Sequence, residues 1–491
     1  MKTRTLLLGA APLWLWLWLW SPTAKAQTEQ SAFSLREAVE YALTNNQLVQ
    51  NARLDVQSAD ARVGEIRAIG LPQVNGVVEL TDNFAVPAVI LPAEAGAAFG
   101  PGPVDPRVDG RLQTLEQQLG INSPEPPAPP SGDDPLVLRF GIRYQGNAVV
   151  SASQILFDGS YVIGLRAANT YKNLARKQMV QQKRDVAVNV AKAYYGVLVN
   201  QDRLGLLEAN IDRLDSTYRQ TRALFENGFA EEIDALRLEV QLNNLRTDRA
   251  AAVRGVEVAR AVLKFQMGYD LSRKISLTDR LAADDLTAAT FGSSFNYSDR
   301  VEYAVLEDQR ELAFLDVRNN QAGYLPKLSL FARYGYNAGY DDVGQLFTDQ
   351  WFDQGAYGLR LNVPIFDGLM KKYKVQQARV AYEQTGNGFR ILQQQIDLER
   401  QQSTIQLNNA LSQLENQERN LELANEVVRV TKLKFEEGIG TNLEVTNAEA
   451  DLKAAQTNYY NALYDAYVAR VDLQRANGTL FADLTQEETG R

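Results

Sequence analysis

"FENGFAEEIDALRLEV", residues 225–240, returns 210 positions later as "FEEGIGTNLEVTNAEA", residues 435–450. In each stretch a glycine, Gly228 or Gly438, follows a long proline-free run rich in Gln, Glu, Arg, Ala and Leu, and a helix-forming pattern resumes within a few residues. Glycine reaches the left-handed conformation that closes a helix, so both stretches read as the tight tip of an αα-hairpin.

Upstream of each tip the apolar residues keep one period. Val197, Leu204, Ile211, Tyr218 and Phe225 lie seven apart, as do Leu407, Leu414, Leu421, Val428 and Phe435. The patterns predict long helices over 160–226 and 369–436, each about 100 Å, with return helices over 230–268 and 441–477 of about 60 Å. A helix over 34–70, opened by the capping box Ser34-x-x-Glu37, adds about 55 Å, so that two short helices stacked end to end match one long one. Its counterpart spans 298–325.

The chain also matches itself elsewhere. "VEYA" (39–42) returns at 301–304, "LDV" (54–56) at 315–317, and "LFDG" (156–159) as "IFDG" (365–368), all in the same order. This is an internal duplication of roughly 200 residues per copy: a first repeat over 27–271, a linking segment over 272–296, a second repeat over 297–478 and a tail over 479–491. The spacing changes from 261 at "LDV" to 254 at Leu71-Pro72 and Leu325-Pro326. Seven residues is one heptad, which a packed helix can lose without turning its apolar face, so a continuous heptad helix is expected before "LP" in both copies.

Between the helices the period drops to two. Val74, Gly76, Val78 and Leu80; Leu138, Phe140, Ile142 and Tyr144; Leu328, Leu330, Ala332, Tyr334 and Tyr336; and Tyr357, Leu359, Leu361, Val363 and Ile365 alternate with mainly polar neighbours that include Arg139, Arg143, Arg333 and Arg360. Strands are expected at about 73–84, 137–151, 327–340 and 356–366. They make either two amphipathic hairpins on a core or part of a membrane barrel, apolar outward and polar inward. The neighbouring polar helices leave no broad apolar face for the first arrangement. Four strands cannot close a barrel: two chains would give eight strands and a filled interior, three chains twelve and an open channel. The segment 84–135, with "PEPPAPPSGDDP", reads as an exposed loop. Phe84, Tyr144, Phe157, Tyr336 and Phe366 near strand ends are candidates for interfacial girdles or simple strand formers.

The start of the chain is a different signal. Lys2 and Arg4 precede an apolar run from Leu6 to Trp20 that is too short to span a bilayer, and Ala24-Lys25-Ala26 has the small-x-small form of a cleavage site. A secretory signal peptide over 1–26, removed after Ala26, is expected, with an uncleaved anchor as the alternative.

Composition excludes several classes. The chain has 51 Lys and Arg against 60 Asp and Glu, a net charge of -9, which argues against nucleic acid as a partner. It has no cysteine and no histidine, so disulfides, a lipidated cysteine and the commonest metal ligand and general base are absent. No G-x-x-x-x-G-K occurs. No enzyme activity, cofactor or metal is expected.

With "SLREAVEYALTNNQLVQNARLDVQSADARVGEIRAIGLPQV" near the start, "ILFDG" and "PIFDG" after the second strand of each half, and "FEEGIGTNLEVTNAEADLKAAQTNYYNALYDAYVARVDLQRANGTL" at the end, the chain resembles the TolC-like outer membrane efflux protein family over nearly all of its mature length. The resemblance implies a mainly α protein with a membrane β-barrel. It further implies a homotrimer whose 12-stranded barrel in outer membrane lipid continues into a periplasmic α-helical tunnel. Such a channel serves tripartite efflux or type I secretion, and its tips open by untwisting when a periplasmic adaptor and an inner-membrane transporter dock. Four helical positions per chain, three times over, agree with twelve strands.

The resemblance places a cation-attracting constriction on acidic residues after the tip turn. Here these positions hold Glu444 and Asn447, an amide where the family often has Asp, and copy one puts Asp234 in register with Glu444. Carboxylates ringed this way repel and favour opening or cation binding, while ordinary solvated helix-start carboxylates would look the same in sequence. Adaptor docking is expected at Gly228, Phe229, Gly438, Ile439, Gly440 and Thr441. A passive porin would not need 200 residues of heptads, and a coiled-coil surface protein would not need the strands. The cargo, whether drug, metal or protein, is not legible.

Overall fold

Proline-free heptad sequence folds as helix over nearly the expected lengths, and the alternating segments fold as strands with shifted ends. The structure, a computed structural model, describes residues 32–91, 136–139, 141–281 and 295–486 and the single positions 111, 114, 115, 118 and 286. The signal peptide, most of the 84–135 loop, much of the linking segment and the end of the tail lie outside the described residues. In chain order, β1 (Ala32–Phe33) leads to α1 (Leu35–Asn45), α2 (Gln47–Ile69), β2 (Gln73–Asp82), β3 (Ala88–Leu91), β4 (Leu136–Arg139) and β5 (Tyr144–Phe157). The 68-residue α3 (Gly159–Glu226) and α4 (Glu232–Met267) follow, then β6 (Ser276–Leu277), a 3₁₀ turn (Tyr297–Asp299) and α5 (Val301–Ala322). The chain closes with β7 (Lys327–Tyr340), α6 (Gln345–Thr348), β8 (Phe352–Asn362), the 67-residue α7 (Met370–Glu436), α8 (Asn442–Asn477) and α9 (Ala482–Gln486).

The chain forms two compact units, one from described residues within 63–167 and 315–378, the other from those within 1–62, 168–314 and 379–491. The first holds one antiparallel sheet in the order β2-β5-β7-β8. Its register places Val74, Ala152, Ala332 and Tyr357 in one row and Val78, Ala148, Tyr336 and Asp353 in another, both on one face. Between them, on the opposite face, run Asn75, Ser151, Arg333 and Ala356, and further on Glu79, Asn147, Asn337 and Phe352. No described residue covers the apolar face: Val74, Val78, Tyr357, Leu359 and Leu361 are exposed.

Two strand expectations need correction. The second strand runs over Tyr144–Phe157 rather than 137–151, because Leu136–Arg139 pairs with β3 in a separate two-stranded ladder and the chain turns at Gly141, φ 153°. The strand that joins the sheet alternates Ala148, Val150 and Ala152 with Asn147, Ser151 and Ser153, a pattern of small residues with little hydropathy contrast. The fourth strand is Phe352–Asn362 and stops short of Val363 and Ile365, since Pro364 has no N–H to give the ladder.

The second unit is helical. Its main core gathers Phe33, Val39, Ala42, Tyr194, Val197, Leu263 and Met267. The fully buried Tyr194 hydroxyl has its one proton between two acceptors, the Phe33 carbonyl at 2.9 Å and Asp279 Oδ2 at 3.0 Å, and the latter also accepts the Leu35 N–H at 2.8 Å. Burial first, and the Asp279 contact second, raise the Tyr194 phenol well above its ordinary range. The capping box is present, with Ser34 N–H to Glu37 at 2.8 Å.

The expected helix 34–70 is broken at Asn46, which is extended (φ -65°, ψ 131°). Its side chain donates to the Gln266 carbonyl at 2.7 Å and accepts the Leu48 N–H at 2.8 Å, so the break seats the end of α4. Arg300, 254 residues later, donates in the same way to the Ala476 carbonyl at 2.8 Å at the end of α8. Helices α2 and α5 also begin 254 residues apart, at Gln47 and Val301, the spacing found at "LP", so no heptad is lost between these starts and "LP". "VEYA" falls inside α1 in one instance and opens α5 in the other, so these matches are not equivalent places.

On α3 the buried line also differs from the expected one. Beyond Val197 it runs through Leu207, Asn210, Leu214, Thr217 and Thr221, spaced three and four, while Ile211 and Tyr218 flank it half-buried. On α7, Leu407, Leu414 and Val428 are buried as expected.

Gly268 (φ 68°) ends α4, and a Cβ there would lie 2.8 Å from the Asn45 carbonyl oxygen. Gly268→Ala is expected to destabilise the protein by about 2 kcal/mol in thermal unfolding. Gly64→Ala, where no atom lies within 4 Å, should cost nothing.

Candidate functional site: the hairpin tips

Both tips are closed by the same backbone device. Gly228 (φ 79°) gives its N–H to the Phe225 carbonyl at 2.9 Å and Phe229 gives its own to Leu224 at 2.7 Å. Gly438 (φ 73°) bonds Phe435 at 3.1 Å, and Ile439 and Gly440 both bond Lys434 at 3.0 Å. These are the left-handed glycine closures of a helix C-terminus, and they turn each chain end through a few residues. A Cβ on Gly440 would stand 3.0 Å from the Lys434 Cβ and the Phe435 nitrogen, so the second tip is tighter than a larger residue permits. Phe229 (81% exposed) and Ile439 (79%) project uncovered from the two turns.

The returning helices start differently. Thr441 caps α8 by accepting the Glu444 N–H at 3.3 Å, whereas Glu231 makes no side-chain cap for α4. Glu444 and Asn447 are exposed, and Asp234 is half-buried with Arg237 of its own helix 3.7 Å away. The link between the two starts comes from Asn442, buried to 3% exposure, whose amide donates to the Asp234 backbone carbonyl at 2.9 Å. The structure thus joins the two helix starts, with an arginine beside one carboxylate.

Behind the tips the packing separates into two kinds. Within the first hairpin, Leu207 and Leu214 of α3 pack on Leu238, Leu242 and Leu245 of α4. Within the second, Val428 of α7 packs on Ala448 and Leu452 of α8. Between the hairpins the contacts nearest the tips are polar: Asn210 donates to Gln456 at 2.6 Å with both buried, Lys453 pairs with Asp248, Arg213 stands 3.7 Å from Glu449, and Gln241 reaches the Thr446 carbonyl at 3.5 Å. Farther from the tips the same two hairpins meet through Val188, Ala191 and Val471 and through the stacked rings of Tyr195 and Tyr467. Two grooves of about 480 Å³ each run along this seam, sharing Lys453 and Thr457 in their walls. Burial raises the Glu449 carboxyl against the opposing pull of Arg213 and Lys432.

The sequence reading missed Asn442, Asn210, Gln456 and Glu449. A signal for Asn210 existed, since an amide at a position flanked three and four residues away by Leu207 and Leu214 is polar in a core register. Among the described residues no cluster of acidic side chains is arranged to hold a metal ion, and no helix is long and apolar enough to cross a membrane.

The profile of the family described as outer membrane efflux protein matches residues 139–269 and 303–479, more than half of the chain. Among curated relatives, the outer membrane protein TolC of Vibrio cholerae is 23% identical over 336 residues, 68% of this chain and 77% of its own. The alkaline protease secretion protein AprF of Pseudomonas aeruginosa is 22% identical over 338 residues, 68% of this chain and 69% of its own. The crystal structure of the outer membrane protein VceC from Vibrio cholerae shares the fold, with a TM-score of 0.62 at 16% identity over 90% of this chain and 96% of its own.

Asn442→Ala removes the link to Asp234 and should accelerate amide exchange in the first turns of α4 and α8 roughly five- to tenfold, corresponding to about 1 kcal/mol. Glu449 holds its proton more tightly folded than unfolded, so stability should fall as pH rises from the ordinary glutamate value of 4.5 through the raised one. Glu449→Gln should flatten that slope in pH-resolved thermal melts.

Proposed function

The chain belongs to the outer membrane efflux protein family, whose members are outer-membrane channels and not enzymes, and on that premise we propose that it forms a passive trimeric duct. Three chains supply twelve strands to one barrel and twelve helical positions to one periplasmic tunnel, and the duct serves tripartite efflux or type I secretion. The sheet supports this most directly. It has one uncovered apolar face, one polar face, and two edges, β2 and β8, left for pairing. In hydrocarbon such edges must be satisfied, and pairing β8 of one copy with β2 of the next closes the ring.

Asp234 and Glu444 line the periplasmic entrance in this proposal, with Asn447 behind Glu444. Arg237 beside Asp234 and the amide at 447 make the entrance less acidic than a ring of four carboxylates per pair of tips. Gly228, Phe229, Gly438, Ile439, Gly440 and Thr441 receive a periplasmic adaptor, whose docking, with that of an inner-membrane transporter, opens the tips. The polar seam supports opening at this place, because hydrogen-bonded groups can exchange partners with water while the apolar contacts inside each hairpin stay intact. Cargo is carried by a partner's energy, and relatives named for protease secretion and for efflux both fit such a duct.

The mature protein in detergent should behave as a trimer and conduct in planar bilayers with a small, cation-preferring conductance. Asp234→Asn with Glu444→Gln should raise the conductance about two- to fivefold and lower the cation preference. A monomer without conductance overturns the proposal.

A further inference from the structure

The charges of the sheet run against those of the chain. Overall the protein is acidic, at -9, yet the polar face of β2-β5-β7-β8 carries Lys327, Arg333 and Arg360 against Glu79 alone, and β5 bears no charge at all. Lys327 is neutralised by Asp158 at 2.9 Å. The two arginines have no carboxylate partner among the described residues, and both are exposed.

Their surroundings are uncharged by construction. Arg333 stands between Ser151 and Ala356 across the ladder, with Phe331 and Gly335 on the same face along its own strand. Arg360 faces Ser329, and its guanidinium lies 5.1 Å from the centre of the Phe331 ring. That ring sits over Gly358, where a Cβ would approach it to 3.2 Å. Stacking occupies the flat face of a guanidinium and leaves its N–H donors free at the edge, the geometry that takes a carboxylate or phosphate two-pronged. Within one copy Glu79 is two strands and four residues from Arg333, about 10 Å across and about 14 Å along.

We infer that Arg333 and Arg360 form an anion-binding surface on the polar face of the sheet, over which carboxylate- or phosphate-bearing solutes pass. This rests on the duct proposed above and adds a preference opposite in sign to that of its acidic entrance. Three basic side chains against one acid on each copy's polar face raise the concentration of anions near the guanidinium groups, which act on what the barrel admits rather than on how the tips open.

Inorganic triphosphate is the probe. Added to the side of a planar bilayer reached by the barrel mouth, it blocks current through the wild-type protein, and the double variant Arg333→Gln, Arg360→Gln raises the half-blocking concentration about tenfold. The variant Arg333→Lys, Arg360→Lys keeps the charges and most of the block. Both positions are exposed, so melting temperatures stay at the wild-type value. Broadening of the ³¹P resonances of triphosphate by the detergent-solubilised protein, lost in the glutamine variant, reads the same surface without conduction. Unchanged block or unchanged broadening in the glutamine variant overturns the inference alone. A wild-type protein that never conducts overturns the duct, and the inference with it.

Discussion

Strands β2 and β8 end the sheet with a row of backbone N–H and C=O groups that find no partner strand among the described residues. Water satisfies such groups at a soluble surface, but this sheet also has an apolar face that no described residue covers, and hydrocarbon offers no hydrogen bonds. In hydrocarbon an apolar face and an open edge on the same strands call for a ladder from outside the chain, which the proposed duct supplies from another copy. Four strands are too few to close a barrel by themselves.

The helical unit solves a different problem with the same economy. Each hairpin is apolar inside, through Leu207, Leu214, Leu238 and Leu242 in one and Val428, Ala448 and Leu452 in the other. Toward the tips the hairpins meet through Asn210, Gln456, Arg213, Glu449, Asp248 and Lys453, and farther back through Val188, Ala191, Val471 and the Tyr195–Tyr467 stack. Apolar contact is non-directional and tolerates no water, whereas a polar seam holds one geometry and can be rehydrated. Further along, Asn46 and Arg300 each clamp the end of a return helix, where Gly268 and Gly478 leave room for the backbone they touch.

Periodicity located most of this. The long helices end at Glu226 and Glu436, where Asn227-Gly228 and Glu437-Gly438 announce a left-handed turn, and β7 spans the predicted 327–340. Errors occurred where the local signal was weak or shared. Leu138 to Tyr144 alternates well but is interrupted at Gly141, while Ala148 to Ser153 alternates between small residues and joins the sheet. "VEYA" is a good helical tetrapeptide in two unrelated places. Of the tip, the glycines, Asp234 and Glu444 were legible by position. Asn442 was not, because an asparagine in a first helical turn looks like any other until a second hairpin puts a carbonyl opposite it.

By itself the sequence determined the period of each segment, seven for the rods and two for the strands, and the residues where one gives way to the other. These are local properties, set by how side chains project from a helix or a pleat and by which backbones glycine and proline allow. Only the tertiary structure decided the register: which strand pairs with which, that Leu207, Asn210 and Leu214 rather than Leu204 and Ile211 face the core, and that Asn46 breaks a helix to hold Gln266. Register depends on the surface a segment meets, and that surface is contributed by residues hundreds of positions away.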